Sequence, residues 1–465
     1  MARVTHPPPP DREVDVVVVG GGPGGEVCAG RLGAAGLEVA VVERELVGGE
    51  CSFWACMPSK ALLRPAEVLA EARRIPGARE AVTGPVDVAA VLTRRDEVIH
   101  HLDDSGMVPW LDARGVALVR GHGRLAGPRR VRVDDGEVLG ARRAVVIATG
   151  SGPMIPPVPG LAEARPWTNR EATTATAVPG HLAVIGGGVV AAEMAQAWSS
   201  LGAQVTVLIR GDGLLARDEP FAGAQVETAL RDAGVDLRRR TEARRVAREP
   251  DGRVRLELTT GDALWADEVL VATGRVPRTA DLGLETVGIE PGGSVEVDDH
   301  LRHGDHPWLF AIGDANGRSL LTHMAKHQAA VAADTILGRD VPGVLPGALA
   351  PHVVFTDPQV AAVGHTLASA RDAGLRVREV CVGTSANAGG SFYGRGAPGT
   401  SQLVVDEDRG VVVGATFTGA EIAEWLQAAT VAVVGEVPLA RLRYAVPAFP
   451  TRNEVWLQLL EQLGP

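Results

Sequence analysis

The chain has 465 residues, with 46 Lys and Arg against 57 Asp and Glu and a formal net charge of -11. At roughly 150 residues per domain that length suggests two to four domains, and no basic stretch interleaved with aromatics offers a track for nucleic acid. No apolar run approaches the roughly 18 residues of a membrane span, and the N-terminus MARVTHPPPPDREV lacks the apolar core of a signal peptide, so a cytoplasmic protein with no membrane partner is expected. Four cysteines cannot make a disulfide framework for so long a chain. Two of them, Cys51 and Cys56 in GGECSFWACMPSK, are close enough to raise three readings: packing, metal ligation or redox chemistry.

In chain order, residues 1–13, with four prolines, read as a disordered or polyproline tail. VDVVVVGGGPGGEVCAGRLGAAGLEVAVVER then reads as strand, glycine turn, small-residue helix and a second strand ending at Glu43. Gly20, Gly22 and Gly25 form the G-x-G-x-x-G of a dinucleotide site, where the backbone must approach a pyrophosphate and the helix N-terminus faces it. Glu43 is the carboxylate expected to take ribose hydroxyls. HLAVIGGGVVAAEMAQAWSSLGAQVTVLIR repeats the unit with Gly186, Gly188 and Ala191. Its second strand ends at Arg210, read as standing where Glu43 stands in the first unit; a guanidinium there binds a 2′-phosphate that a carboxylate would repel. With Arg217 as a second charge, the second site is expected to take NADP(H).

Two strands close on the same tripeptide, AVVIATG at Gly150 and EVLVATG at Gly274, and LFAIGDANG adds a third ending at Gly313 and Asp314, placed to meet a cofactor's polyol. LTHMAKHQAAVAADTIL is helical by its spacing. From about residue 345 the pattern turns to strands followed by helix without a glycine fingerprint, a separate α+β domain.

Read together, these motifs resemble the flavoprotein disulfide reductases of the dihydrolipoamide dehydrogenase, glutathione reductase and mercuric reductase group. The glycine loop, C-x4-C-x-P-S-K, two A-T-G strand ends, the nucleotide loop between them, G-D, VVFTDPQVAAVG and P-T-x-x-E at 450–454 stand in that family's order. The resemblance implies an α/β fold with two Rossmann-like domains, for FAD and NAD(P), and a C-terminal α+β domain that forms a homodimer. The expected boundaries are 14–151 and 275–345 for the two parts of the FAD domain, 152–274 for the NAD(P)H domain and 346–465 for the dimerisation domain.

It also implies electron flow from nicotinamide through flavin to the cysteines and on to a small-molecule acceptor, with Cys51 as the exchanging thiol and Cys56 against the flavin. On a regular helix, Cα atoms five positions apart lie at least roughly 7.5 Å apart, beyond the usual disulfide span of about 4.4 to 6.8 Å. Cys51 is therefore expected at or before an irregular helix start, which Gly48 and Gly49 permit and where a helix N-terminus stabilises its thiolate. A zinc site lacks further ligands, and no metal is expected. Lys60 and Glu193 match a family pair beside the flavin ring, with an ordinary ion pair as the alternative, and His323 matches a position near its pyrimidine edge. Pro23, Gly24, Arg44, Gly49 and Gly123 are the further expected FAD contacts around the first loop. Ala148, Thr149, Arg275, Met324 and Ala325 are expected contacts around the strand ends and the helix after Asp314.

The chain departs from the family at YAVPAFPTRNEVW, where Phe449 stands in place of the histidine that precedes P-T-x-x-E. Phenylalanine transfers no proton. Glu454 then lacks its usual partner, and Tyr444 is the nearest replacement. The acceptor is expected to be either a disulfide or other thiol-reactive molecule, or a quinone, metal ion or similar non-disulfide acceptor.

Overall fold

The computed structural model describes residues 10–394, 397 and 399–464, so most of the expected polyproline tail lies outside the described residues. Its last two positions do not behave as a tail. Strand β1 (Arg12–Val19) starts at Arg12, and Arg12 and Glu13 pair with Leu139 and Gly140. The chain forms two compact units, one of Met1–Pro58, Asp96–Pro153 and Arg275–Gly347, the other of Ser59–Arg95, Met154–Gly274 and Ala348–Pro465.

In the first unit, β1 leads through a glycine turn to α1 (Pro23–Ala34) and β2 (Val39–Glu43). β1 and β2 run parallel, Val16 opposite Val39 and Val19 opposite Val42. Val16, Val17 and Val18 are fully buried, as befits a parallel strand covered on both faces. After the short helix α2 (Gly49–Phe53) and the first turn of α3 (Cys56–Arg74), strands β3 (Val116–Arg120), β4 (Gly123–Leu125), β5 (Arg130–Val133) and β6 (Val138–Ile147) complete a sheet ordered β3-β2-β1-β6-β5-β4. The strand Leu309–Ala311 pairs with β6 in parallel. β6 ends at Ile147 and Leu309–Ala311 at Ala311, so the tripeptide 148–150 and the pair 313–314 stand past the strands as connecting backbone, not as their last residues. The helix Thr322–Ile336 turns small residues inward, among them Ala325, Ala329, Ala332 and Ala333. That lets α1 approach closely: a Cβ on Gly24 would lie 3.4 Å from the Ala325 side chain.

The second unit holds the second nucleotide fingerprint on a four-stranded parallel sheet, in the order Asp236–Arg239, Gln204–Ile209, His181–Ile185, Glu268–Val271. The helix Val189–Ser200 follows the glycine turn, and an antiparallel sheet of three strands (Ala243–Arg248, Val254–Leu258, Ala263–Ala266) packs its apolar face against the nucleotide sheet. The C-terminal part of this unit is a five-stranded antiparallel sheet covered by the helices Leu426–Val434 and Val455–Gln462. Among the described residues no helix is long and apolar enough to cross a membrane.

The three glycines of the first loop carry different loads. A Cβ on Gly25 would sit 1.9 Å from the Gly20 carbonyl oxygen, and one on Gly20, at φ 107°, would sit 2.4 Å from the Ala148 oxygen. Gly22 has φ -73° and open space around its missing side chain. Gly25 is thus required by the fold, and Gly22 by whatever approaches the loop. Gly25→Ala is expected to destabilise the unliganded protein by about 2 kcal/mol or more, whereas Gly22→Ala should change it by less than about 1 kcal/mol yet weaken FAD binding at least about tenfold. Denaturant melts of the apoprotein beside FAD titrations separate the two.

Glu26, in the first turn of α1, has a buried Oε1 without a hydrogen-bond partner. Burial pushes its carboxyl up to about 7, against the pull of Lys326 and with a smaller push from Glu43. The folded protein keeps this proton up to about pH 7 while an unfolded chain releases it near the ordinary value of 4.5, so stability falls as pH rises across that window and the loss is complete above it. Glu26→Gln should therefore stabilise the protein by on the order of 1–3 kcal/mol at pH 8 and leave it unchanged near pH 4.5, as read from chemical denaturation at the two pH values.

Candidate redox and dinucleotide sites

The break between α2 and α3 decides where the two thiols go. Gly48 and Gly49 take left-handed φ values of 109° and 58°, α2 makes a single turn, and Trp54 (φ -135°, ψ 2°) ends it before Cys56 opens α3. Cys51 lies in that one-turn helix, just after its irregular glycine start and ahead of the break before α3. The helix that lends a positive N-terminal end is the 19-residue α3, and its first residue is Cys56, not Cys51. The electrostatics follow: the Cys51 thiol is held above its ordinary range by its hydrogen bond to Cys56, by burial and by like-charge repulsion from Cys56, with Thr322 and Lys326 pulling the other way. Cys56 Sγ lies 3.4 Å from the Thr322 hydroxyl. Both thiols are half-buried and reduced, whereas Cys28 is wholly enclosed in the core and Cys381 is exposed.

The thiols adjoin the first glycine loop. A Cβ on Gly49 would come within 2.9 Å of the Gly22 Cα, so α2 and the loop are fitted backbone to backbone. Pro23 is the first residue of α1, and no side chain caps that helix, so its first N–H groups are available to a pyrophosphate. The Glu43 carboxylate accepts from the amides of Gly21 at 2.6 Å and Glu45 at 2.7 Å. Two backbone donors fix its plane, and its remaining lone pairs can take ribose hydroxyls. Arg44 is exposed beside it, and Gly123 packs against Val19 and Val42 at the start of β4.

Past β6, Ala148 donates to Val19, Thr149 Oγ1 donates to the Arg278 carbonyl at 2.9 Å, and Gly150 accepts from Arg278. Asp314 accepts from the Ser151 hydroxyl, which also receives Arg275 Nε at 2.7 Å. Burial raises the Asp314 carboxyl, while Ser151 and Arg275 lower it. Met324 and Ala325 are buried and His323 is exposed. Glu50, next to Cys51, pairs with Arg278 at 2.7 Å. Ser151, Thr322, Glu50 and Arg278 escape sequence reasoning because each acts through a partner far along the chain. Only the polar residue next to each motif could have flagged them. The glycine cradle, the tethered acid at Glu43 and the acid at Asp314 fit FAD.

The second unit corrects one alignment. Gly20 donates to Val42 and Gly186 to Leu208, so the residue equivalent to Glu43 is Ile209, and Arg210 corresponds to Arg44. A Cβ on Gly21 would touch Glu43 and one on Gly187 would touch Ile209 at 3.2 Å, the same relation in both units. Ile209 is 2% exposed because the strand directs it into the core. Arg210 is one residue further on, exposed at the start of the following loop, with Arg217 exposed near its end. Neither makes an ion pair among the described residues. Gly186 takes φ 141° with its absent Cβ 2.3 Å from the Ala272 oxygen, while Gly188 faces open space and heads a helix with no side-chain cap. Ala191 is buried behind it, and Gly274, at φ 141°, ends the neighbouring crossing. The loop therefore offers NAD(P)H the same kind of open helix end.

Lys60 Nζ lies 2.8 Å from Glu193 Oε2, and Glu193 Oε1 accepts from the Phe355 amide at 2.9 Å. Glu193 is 3% exposed, and the ammonium lies over the Phe355 ring. In the C-terminal part, Tyr444 and Phe449 are 81% and 75% exposed, while Glu454 Oε2 is buried without a hydrogen-bond partner.

Comparison with known proteins is consistent along the whole chain. The family described as pyridine nucleotide-disulphide oxidoreductase matches residues 14–330, and the dimerisation domain of that family matches residues 350–460. The chain is 32% identical over 441 residues to a mercuric reductase of Acidithiobacillus ferrooxidans, covering 93% of this chain and 79% of that protein. It is 33% identical over 457 residues to a dihydrolipoyl dehydrogenase of Thermus scotoductus, covering 97% of each. To a glutathione reductase of Burkholderia cepacia it is 32% identical over 455 residues, 96% of this chain and 98% of that one. The copper(II) complex of the HOCl-induced flavoprotein disulfide reductase RclA from Escherichia coli shares the fold, with a TM-score of 0.86 at 23% identity over 97% of this chain and 100% of that one. LpdA from Mycobacterium tuberculosis superposes with a TM-score of 0.85 at 25% identity, over 98% and 100% of the two chains. Two dinucleotide cradles, a thiol pair against the first of them and a C-terminal dimerisation domain agree with these matches: the chain belongs to the pyridine nucleotide-disulphide oxidoreductases, enzymes that use FAD and NAD(P)H.

Proposed function

We propose that this enzyme takes electrons from NADPH and delivers them through the Cys51–Cys56 pair to a small-molecule acceptor whose reduction needs no histidine base, within a homodimer. FAD, when bound, supplies the two-electron relay between nicotinamide and thiols. The single observation that carries the reading is the thiol cluster itself: Cys56 at the head of α3 with Thr322 at 3.4 Å, and Cys51 beside it. For a disulfide acceptor, the Cys51 thiolate formed on loss of its proton attacks one sulfur and releases the other as a thiolate, which takes a proton. Cys56 then attacks Cys51 Sγ, releases the second acceptor thiolate and closes the Cys51–Cys56 disulfide. Two electrons from NADPH return the pair to the dithiol. Lys60 paired with Glu193 keeps a cation at a fixed place, and the Phe355 ring and amide hold that pair.

The choice of NADPH rests on Arg210 and Arg217, two exposed guanidiniums without carboxylate partners among the described residues, and on an apolar Ile209 where the first unit carries Glu43. The choice of acceptor rests on Phe449 and on the partnerless oxygen of Glu454. A positioned base is worth roughly 10²- to 10⁴-fold, so lipoamide and glutathione disulfide are expected to be poor substrates by about that factor, and Phe449→His should recover part of it. A second reading, transfer to a metal ion or quinone, is favoured by that same Phe449, and relatives named mercuric reductase make metal ions a reasonable choice to screen.

Anaerobic NADPH is expected to produce a long-wavelength absorption from the Cys56 thiolate beside oxidised flavin, and Cys56→Ser should abolish it. Cys51→Ser separates thiol exchange from direct electron transfer: turnover of a thiol-exchange substrate disappears, whereas a quinone acceptor keeps most of its rate. High lipoamide activity in the unaltered protein would overturn the reading of Phe449. Equal kcat/KM for NADPH and NADH would overturn the nucleotide assignment.

A further inference from the structure

The stretch that carries Arg210 and Arg217 is exposed at both ends and pinned in the middle. Leu214 and Leu215 are each 3% exposed, and Leu215 adopts φ 54°, a left-handed conformation that a branched side chain rarely takes. The Leu215 amide donates to the Gly187 carbonyl at 2.8 Å, which ties the stretch to the nucleotide glycine loop. The Leu214 amide donates at 2.8 Å to Oε1 of Glu227, on the helix Pro220–Asp232. Glu227 is 1% exposed. Its Oε2 accepts from Arg231 Nη2 at 3.0 Å and from Nε and Nη2 of Arg239, at the end of the neighbouring strand. A Cβ on Gly213 would lie 2.8 Å from Oε1, so the loop backbone is moulded to this carboxylate. Burial works against the charge, yet Arg239 and the Leu214 amide outweigh it and hold the carboxyl below its usual range. Asp212, the carboxylate within the loop, is paired with Arg240 at 2.6 Å, which leaves Arg210 and Arg217 as the cations without an ion-pair partner among the described residues of this loop.

A buried, charged glutamate needs compensation that a surface loop rarely supplies. Here three elements converge on it: the loop, its own helix and the strand Asp236–Arg239. We propose that Glu227 is a positioning residue for the nucleotide's 2′-phosphate, fixing the centre of the 211–216 loop and with it the separation and direction of Arg210 and Arg217. This rests on the NADPH reading above. Two guanidiniums bind one phosphate well only at a set spacing, so a loosened anchor costs 2′-phosphate recognition while the parts of the nucleotide held by the glycine loop are spared.

The test uses FAD-loaded enzyme and titrates 2′,5′-ADP and 5′-AMP by calorimetry, with anaerobic reduction by NADPH and NADH in parallel. In Glu227→Gln, which keeps the shape and an acceptor for Leu214 but removes the charge that gathers Arg231 and Arg239, affinity for 2′,5′-ADP is expected to fall about tenfold relative to 5′-AMP. KM for NADPH should rise while kcat is retained. Arg239→Met, at a half-exposed position, loosens the same carboxylate without altering the core and should shift the ratio in the same direction. In the Arg210→Ala, Arg217→Ala background, Glu227→Gln should change the ratio no further, because the effect passes through those two side chains. The proposal is overturned if the parent prefers 2′,5′-ADP and both variants leave the ratio intact, or lower both affinities equally, the mark of general packing. A parent with no preference for 2′,5′-ADP sinks the NADPH reading itself and this inference with it.

Discussion

The approach of Gly25 to the carbonyl of Gly20 is the constraint on which the first unit depends. With 1.9 Å between a would-be Cβ and that oxygen, no side chain can enter, and α1 starts directly at the end of β1. Helix and strand close up, Gly22 projects into open space, and Gly49 comes against it from α2. The cofactor cradle and the thiol-bearing turn are thus two sides of one backbone contact. The second unit repeats the companion contact, Gly186 against the Ala272 carbonyl as Gly20 against that of Ala148, but it carries Ala191 where the first has Gly25, and there too the open end of a helix is what remains for a ligand.

The thiol pair shows how backbone geometry sets chemistry. A continuous helix from Gly49 onward would hold Cys51 and Cys56 apart. The interruption at Trp54 turns the chain so that the two sulfurs interact, and it gives Cys56 the head of a 19-residue helix. Like-charge repulsion between the two thiols in a half-buried site then works against ionisation of Cys51. Thr322, from a helix more than 260 residues later in sequence, adds a hydroxyl that can donate to or accept from sulfur.

Electrostatic anchors recur where loops must be held. Glu43 ties the turn after β1 through two amides, Asp314 closes a chain of Ser151 and Arg275, and Glu227 fixes the loop after the second fingerprint. In each case a carboxylate bonds to backbone or to a neighbouring polar side chain, so the loop loses freedom before any ligand arrives. That is the preorganisation a dinucleotide site needs, since ordering entropy is then not charged to binding.

The sequence by itself determined the α/β class, the two glycine fingerprints, the cysteine pair and the family, because glycine spacing, apolar strands and small-residue helices are local requirements of backbone and period. It also singled out Phe449 at the position where the family resemblance implies a histidine, since identity at a position is all that such a departure requires. It did not place Arg210: Glu43 and Arg210 look equivalent along the chain, and only the strand pairing revealed that Ile209 occupies the register of Glu43. Nor did it show that Arg12 and Glu13 extend β1, because the partner strand lies at 138–147. Thr322 beside Cys56, Arg278 on Glu50 and Leu214 on Glu227 belong to the tertiary structure alone. A hydrogen bond between residues far apart in sequence leaves no periodic trace, and what each of these groups can do is decided by the partner that folding brings to it.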